Sequence, residues 1–266
     1  PFELMQVKKH HPSLATKELC LATIYSETGV QPFWVTGAGP TEKGGIILSY
    51  LKNSSQHGLD PSEYQVDRLL ELWSTEDVDE LAELDTILTY NLVKYVHDIS
   101  YGQLKPLESD PKLFAEAGDQ DFSPVVTMEH ILATSDLDKF LASLPPQHSH
   151  YRALKGALEY YRKMAEQGGW STVPEGASLR PGDASERIKA VRQRLQITNS
   201  LLMPPDDTVA DIYDPQLEQA VLAFQEQHGL ETDGIIGKKT IAAMNISAME
   251  KVDIIRINMA RWRWQA

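Results

Sequence analysis

Between Leu81 and Ile99 the apolar residues Leu81, Leu84, Leu88, Leu92, Tyr95, Val96 and Ile99 recur every three or four positions. That spacing places them on one stripe of an α-helix, wide enough to face a core. The helix is expected to open after Ser74 or Thr75 and run to about Asp98, with Tyr101-Gly102 as its stop. A helix of this length must bury its stripe against other elements, and the rest of the chain supplies helices. Ser13–Glu27 carries Leu14, Leu21 and Ile24 near helical spacing, with Gly29 behind it. A helix is expected from Glu42 to about Gln56, closed by Gly58, and a short one from Asp60-Pro61 to near Trp73, with Asp60 as N-cap. Helical signals return at Met128–Leu144 and again from Ser149, where Tyr151, Leu154, Leu158, Tyr161 and Ala165 share a face until Gly168-Gly169. Gln31–Trp34 reads as extended because of Pro32, and Lys105–Thr127 as irregular. No segment shows the period of a strand, so the expected fold class is all-α.

Trp170–Asp183 holds two Pro and two Gly without periodicity, the best boundary in the chain. Beyond it lies a small three-helix unit. Asp183-Ala-Ser-Glu186 reads as a capping box for a helix lined by Ile188, Val191 and Leu195, followed by a loop through Pro204-Pro205. Asp214-Pro215 opens a second helix, with Leu217, Ala220, Val221 and Phe224 inward and a Schellman end at Gly229-Leu230. Thr232-Asp233-Gly234 is a tight turn, Gly237 is expected to let a third helix start close to its neighbour, and that helix runs to Met244. Ser247-Ala-Met-Glu250 caps a final helix that reaches Arg261-Trp262-Arg263-Trp264. The expected domains are 1–180, 181–246, and a connecting helix over 247–266.

The net charge is −13, with 15 Lys+Arg against 26 Asp+Glu up to Arg180 and 10 against 12 after it. An acidic surface without clustered Lys and Arg argues against nucleic acid and anionic membrane as partners. No apolar run approaches the ~20 residues of a membrane-spanning helix. Any membrane anchor is expected to lie upstream of Pro1. The single Cys20 excludes an internal disulfide and any multi-Cys metal site.

The second unit carries V-R-Q-R-L-Q at 191–196, A-V-L-A-F-Q at 220–225 and H-G-L-E-T-D-G-I-I-G-K-K-T at 228–240. It resembles the peptidoglycan-binding-like module of cell-wall hydrolases and transpeptidases. The first part adds H-P-S-L at 11–14, Q-P-F-W at 31–34, G-L-D-P-S-E-Y at 58–64, E-L-D at 83–85 and Y-G-Q-L-K-P at 101–106. H-Y-R-A-L at 150–154, G-G-W at 168–170 and N-M-A-R-W-R-W at 258–264 complete the set. Together these motifs resemble the YcbB-type L,D-transpeptidases, which join a helical scaffold domain, this module and a YkuD-type catalytic domain. The resemblance implies a periplasmic or cell-envelope enzyme of a Gram-negative bacterium. Its parent would make 3→3 cross-links between stem peptides through a Cys acyl-enzyme. In that family the Arg-Trp motif precedes the catalytic domain, so that domain is expected beyond Ala266 and this chain is expected to be a non-catalytic part.

No catalytic residue, metal ligand or cofactor is assigned. Cys20, in Glu-Leu-Cys-Leu-Ala, reads as a buried structural thiol. His148-Ser-His150 and His10-His11 lack a spaced third ligand and read as exposed loop histidines. His228 is expected to be a partly cationic ring suited to a helix C-terminus. Asp85, beside the apolar stripe, is expected to bridge helices. The candidate peptidoglycan contacts are Asp233, Gly234, Gly237 and Thr240, with Arg261 and Trp262. The Trp rings suit sugar faces and the Arg side chains suit carboxylates, although locking the module against a neighbouring domain is the plainer role. The partners are therefore peptidoglycan and the chain's own catalytic domain, with a self-contained wall hydrolase or a recruiting module as alternatives.

Overall fold

A computed structural model describes residues 17–103, 122–198 and 210–264. Among these the chain is all-α: α1 (Lys17–Thr28), α2 (Glu42–Lys52), α3 (Val66–Leu72), α4 (Val78–Tyr101), α5 (Pro124–Ala133), α6 (Leu137–Ser143), α7 (Ser149–Glu166), α8 (Arg187–Thr198), α9 (Pro215–Gln227), α10 (Lys238–Met244) and α11 (Ala248–Trp264). The one departure is a two-residue antiparallel pair, Val35–Thr36 (β1) with Gly39–Pro40 (β2), which the helical periods had not suggested. The chain divides into two compact units, one of residues 1–159 with 254–266 and one of 160–253.

In the first unit α4 is the axis. All seven stripe residues are buried, and from Ile87 to Ile99 every residue is, on all sides of the helix. Its buried polar side chains, Asp85, Thr89, Asn91, Lys94, His97 and Asp98, therefore need partners. Asp85 receives the Phe33 amide at 2.9 Å, the Trp34 amide at 2.6 Å and the Tyr25 hydroxyl at 2.5 Å, bridging as expected. Thr89 receives the Trp34 indole N–H at 2.9 Å. Asp98 receives the Tyr64 hydroxyl at 2.8 Å, the Lys94 ammonium at 3.1 Å and the Gln103 amide at 3.1 Å. Asn91 donates to the Tyr64 carbonyl at 2.8 Å. Trp34, Tyr64 and Gln103, drawn from three separate sequence motifs, thus converge on the helix that carries Asp85.

Several expected boundaries shift. The N-cap of α4 is Asp77, whose carboxylate receives the Asp79 and Glu80 amides, and not Ser74 or Thr75. The segment from Pro61 to Trp73 is two pieces, a 3₁₀ turn (Pro61–Tyr64, capped by Asp60) and α3, because Gln65 is left-handed with φ 50°. Tyr64, pinned on both sides by Asp98 and Asn91, holds that break. The irregular stretch ends at Ser123, which caps α5, so Pro124–Thr127 are helical. Lys105–Asp121 lies outside the described residues. Met128–Leu144 is likewise two helices, α6 restarting on the Asp136 cap.

In the second unit, Ile188, Val191, Leu195, Tyr213, Leu217, Val221, Phe224, Ile236, Ile241 and Met244 form the core, with Leu230 against it. Val173 and Leu179, from the Pro- and Gly-rich stretch, are buried in the same core, and Leu179 bridges to Ile236. Asp214 caps α9 on the Leu217 amide at 2.8 Å. Leu230 N–H to Gln225 C=O at 2.9 Å and Gly229 N–H to Glu226 C=O at 3.1 Å make the expected Schellman end. The capping box at Asp183 does not form. Asp183 receives the Arg180 amide, and α8 begins three residues later than a box there requires, after Ser185, whose hydroxyl receives the Arg187 amide. The loop through Pro204-Pro205 lies outside the described residues. The box at Ser247 forms reciprocally, Glu250 N–H to Ser247 Oγ at 3.1 Å and Ser247 N–H to Glu250 Oε2 at 2.7 Å.

Candidate functional site

The turn at Asp233–Gly237 is built around Gln225, a residue in the A-V-L-A-F-Q motif to which the sequence assigned no role. Gln225 is fully buried. Its Oε1 receives the Gly234 amide at 3.0 Å, and its Nε2 donates to Asp233 Oδ1 at 3.0 Å and to the Ile235 carbonyl at 3.0 Å. Asp233 Oδ1 also receives the Ile235 amide at 2.8 Å, the main reason its carboxyl sits below the usual range. The Tyr213 hydroxyl donates to the Gly234 carbonyl at 2.6 Å. Gly234 is left-handed, φ 69°, where a side chain would be strained. Thr240 is buried, and its hydroxyl donates to the Ile235 carbonyl at 3.2 Å. Gly234 and Thr240 therefore frame the turn, while Asp233, Thr232, Lys238 and Lys239 are its exposed side chains. A signal for the two lysines was present in the G-K-K-T segment, where they directly follow the α10 N-cap Gly237.

Gly237 itself is extended, φ −94° and ψ −175°, and a Cβ there would meet only Ser178 Oγ at 3.6 Å. Close approach of neighbouring chain is thus not what this glycine provides. His228 is not the cation expected at its helix end. Burial holds its ring below the usual imidazole range, and it stacks on Phe224 at 3.9 Å between centroids, with Nδ1 2.8 Å from the Phe224 carbonyl. A neutral ring filling the core edge replaces a cation on the helix dipole.

Arg194, from V-R-Q-R-L-Q, lies 3.9 Å from the Trp170 ring centroid and donates to the Met244 carbonyl at 2.8 Å, closing the end of α10. It is buried, so it ties the module together and presents nothing outward.

Arg261 and Trp262 belong to the first unit, and the Asp233–Thr240 residues to the second. Trp262 is half-buried, with its ring stacked on His148 at 4.7 Å and 20°, and 5.7 Å from His150. The two histidines are exposed as expected, yet they pack on this tryptophan. Arg263 is buried and donates to the Tyr151 hydroxyl at 2.9 Å and to the His57 carbonyl. Trp264 donates its indole N–H to the Tyr101 carbonyl at 2.6 Å. A Cβ on left-handed Gly102 would meet that indole nitrogen at 3.2 Å, so the glycine in Tyr101-Gly102 serves the tryptophan as well as the helix end. The Arg-Trp motif thereby locks onto its own unit.

Residues 20–158, more than half of the chain, match the family model described as the Scaffold domain. The chain belongs to the Scaffold-domain family. Residues 184–244 match the family model described as the Putative peptidoglycan binding domain. A curated relative, the N-acetylmuramoyl-L-alanine amidase CwlM of Mycobacterium tuberculosis, is 36% identical over 76 residues, which is 26% of this chain. The chain spans 19% of that relative's length. A Scaffold-domain match and a peptidoglycan-binding-domain match on one chain support a cell-wall-related binding role.

The scaffold domain places Cys20 on α1 inside the apolar core, 1% exposed, a packed thiol and no nucleophile at a surface. Glu83, the other acid of E-L-D, forms a two-pronged pair with Arg68 at 2.9 Å on each contact, half-exposed. Among the described residues, no group of three His, Cys, Asp or Glu is placed to hold a metal ion, and no helix is long and apolar enough to cross a membrane.

Proposed function

We propose that this chain is the scaffold and peptidoglycan-binding region of a YcbB-type L,D-transpeptidase that acts on the periplasmic cell wall of a Gram-negative bacterium. It positions a thiol-bearing catalytic domain and performs no bond chemistry itself. The pairing of a scaffold domain with a peptidoglycan-binding domain carries this reading. The enclosure of Cys20 supports it, since a thiolate needs a charged or basic environment that an apolar core does not supply. In this reading the domains are 1–180, 181–246 and the helix over 247–266, which leads to the catalytic domain. Glycan strands meet the module at Asp233, Lys238 and Lys239, on the turn framed by Gly234, Gly237 and Thr240. Arg261 and Trp262 offer a second contact, the open part of the indole on a sugar face and the guanidinium on a carboxylate.

A second reading, a wall hydrolase, draws on the likeness to the amidase. Digestion separates the two. Purified sacculi incubated with this chain are expected to release no soluble fragment and to gain no 3→3 cross-link. Release of muropeptides would favour the hydrolase, and new cross-links would place thiol chemistry within the chain.

A further inference from the structure

A cavity of about 440 Å³ in the first unit has no part in the contacts proposed above, and His57 and Tyr151 on its lining are the partners of Arg263. That volume lies in the range of roughly 300–1,000 Å³ found for small-ligand pockets. Its apolar wall includes Tyr95, Ala142 and Pro145, and the charged side chains on its lining are Lys155, Arg152 and the exposed Asp138.

Lys155 belongs to a relay. Lys155 Nζ lies 3.2 Å from His57 Nε2, His57 Nδ1 lies 3.3 Å from the Tyr151 hydroxyl, and Arg263 donates to that hydroxyl at 2.9 Å. Burial, then the charges of Lys155 and Arg263, push the His57 ring down to about 3, so it is neutral. An ammonium has no lone pair, so Lys155 donates to Nε2 and the ring's proton sits on Nδ1, donating to Tyr151. The Tyr151 oxygen then accepts twice, from His57 and Arg263. The roles of Lys155 and His57 are thereby fixed, and among the described residues two ammonium hydrogens of Lys155 have no acceptor. No carboxylate among the described residues pairs with Lys155, whose charged form burial already disfavours. Arg152 lines the same cavity. The carboxylate on the lining is Asp138. The Tyr50 hydroxyl lies 3.0 Å from Asp138 Oδ1 and 3.0 Å from its carbonyl, which leaves Oδ2 to accept from another donor.

A cavity with a spare ammonium, a carboxylate and an apolar wall matches a small molecule carrying both charges. We propose that this cavity binds a short zwitterionic peptide, its carboxylate on Lys155 and its ammonium on Asp138. The proposal stands on unit-one geometry alone and is independent of the wall-binding reading.

Calorimetric titration of the whole chain with alanyl-alanine, its N-acetyl form and its C-terminal amide tests it. The free dipeptide is expected to bind at millimolar concentration and the amide to lose that binding. Lys155→Met should weaken the dipeptide and its N-acetyl form alike, by about tenfold, the size of one charge-assisted hydrogen bond. Asp138→Asn should weaken the free dipeptide and leave the N-acetyl form unchanged. Lys155→Gln, which keeps a donor for His57, should reproduce the Lys155→Met loss, with circular dichroism showing each variant folded. No binding of the dipeptide, equal binding of acid and amide, or losses that fail to follow the two charges would overturn the proposal.

Discussion

The module's Asp233–Gly237 turn and the scaffold unit's central helix satisfy their polar groups over very different sequence distances. In the module, Gln225 reaches Asp233, eight residues on, and Arg192 reaches the cap Asp214, twenty-two on, at 2.7 Å. In the scaffold unit, Asp85 is bound by a loop fifty-one and fifty-two residues away and by Tyr25 sixty away, and Tyr64 meets Asp98 across thirty-four. The module is therefore a set of mostly locally closed turns around a small apolar core, with Arg194–Met244 and Val173–Asn245 as long ties across fifty and seventy-two residues. The scaffold unit is a buried helix on which distant loops hang by single side chains. Losing one such side chain should unfasten more structure in the second design than in the first.

The largest effect is expected at Asp85. Asp85→Ala strands two backbone amides, at roughly 1–3 kcal/mol each, and takes one of two partners from the half-buried Tyr25 hydroxyl, for a loss of about 3–5 kcal/mol in denaturant unfolding of the scaffold unit. A loss below about 1 kcal/mol would remove the proposed contrast. Gln225→Ala comes next, at about 2–3 kcal/mol, and should speed amide exchange at Gly234 and Ile235 while exchange along α4 stays unchanged. Asp214→Ala should cost about 1–2 kcal/mol, the worth of an N-cap. This third case also sharpens the comparison through pH. Burial opposes ionisation of Asp214, but the Leu217 amide and Arg192 together hold its carboxyl below the usual range. Its contribution is present above about pH 4 and lost as the pH falls through the lowered folded value, so wild type and variant should converge in acid. Burial raises Asp85 despite its hydrogen bonds. The folded state then holds that proton more tightly, and this group's contribution grows as the pH falls from neutral toward about 4. Unfolding followed separately at the two cores should show these opposite slopes when each wild-type curve is compared with its Asp→Asn variant. The smallest effect belongs to Glu83→Gln, whose half-exposed pair with Arg68 should leave the unfolding midpoint unmoved.

The same difference in sequence distance explains which features were legible in the amino-acid sequence. The module's helices, its Asp214 cap, the Gly229 end and the Asp233-Gly234 turn are all written within a few residues of where they act. The seven-residue stripe of α4 was equally plain. Its burial on all sides was not, since Asn91, Lys94, His97 and Asp98 look like a solvated face until Tyr64 and Gln103 arrive from elsewhere. The left-handed Gln65 had no local signal for the same reason. Asp183 failed as a cap because Arg180 and the paired Tyr213 backbone claimed it first. At the candidate site, the exposed residue Asp233 and the frame residues were visible as a motif, while Gln225 emerged only from geometry. The Arg-Trp cluster was visible as chemistry, but its partners, Tyr151, His57 and Tyr101, lie more than a hundred residues away.

Co-sedimentation of this chain with purified sacculi tests the central claim most directly. The protein is expected in the pellet, with retention reduced when Lys238 and Lys239 are both replaced by alanine and little changed by Lys155→Met. Complete recovery of the folded wild-type chain in the supernatant would contradict it.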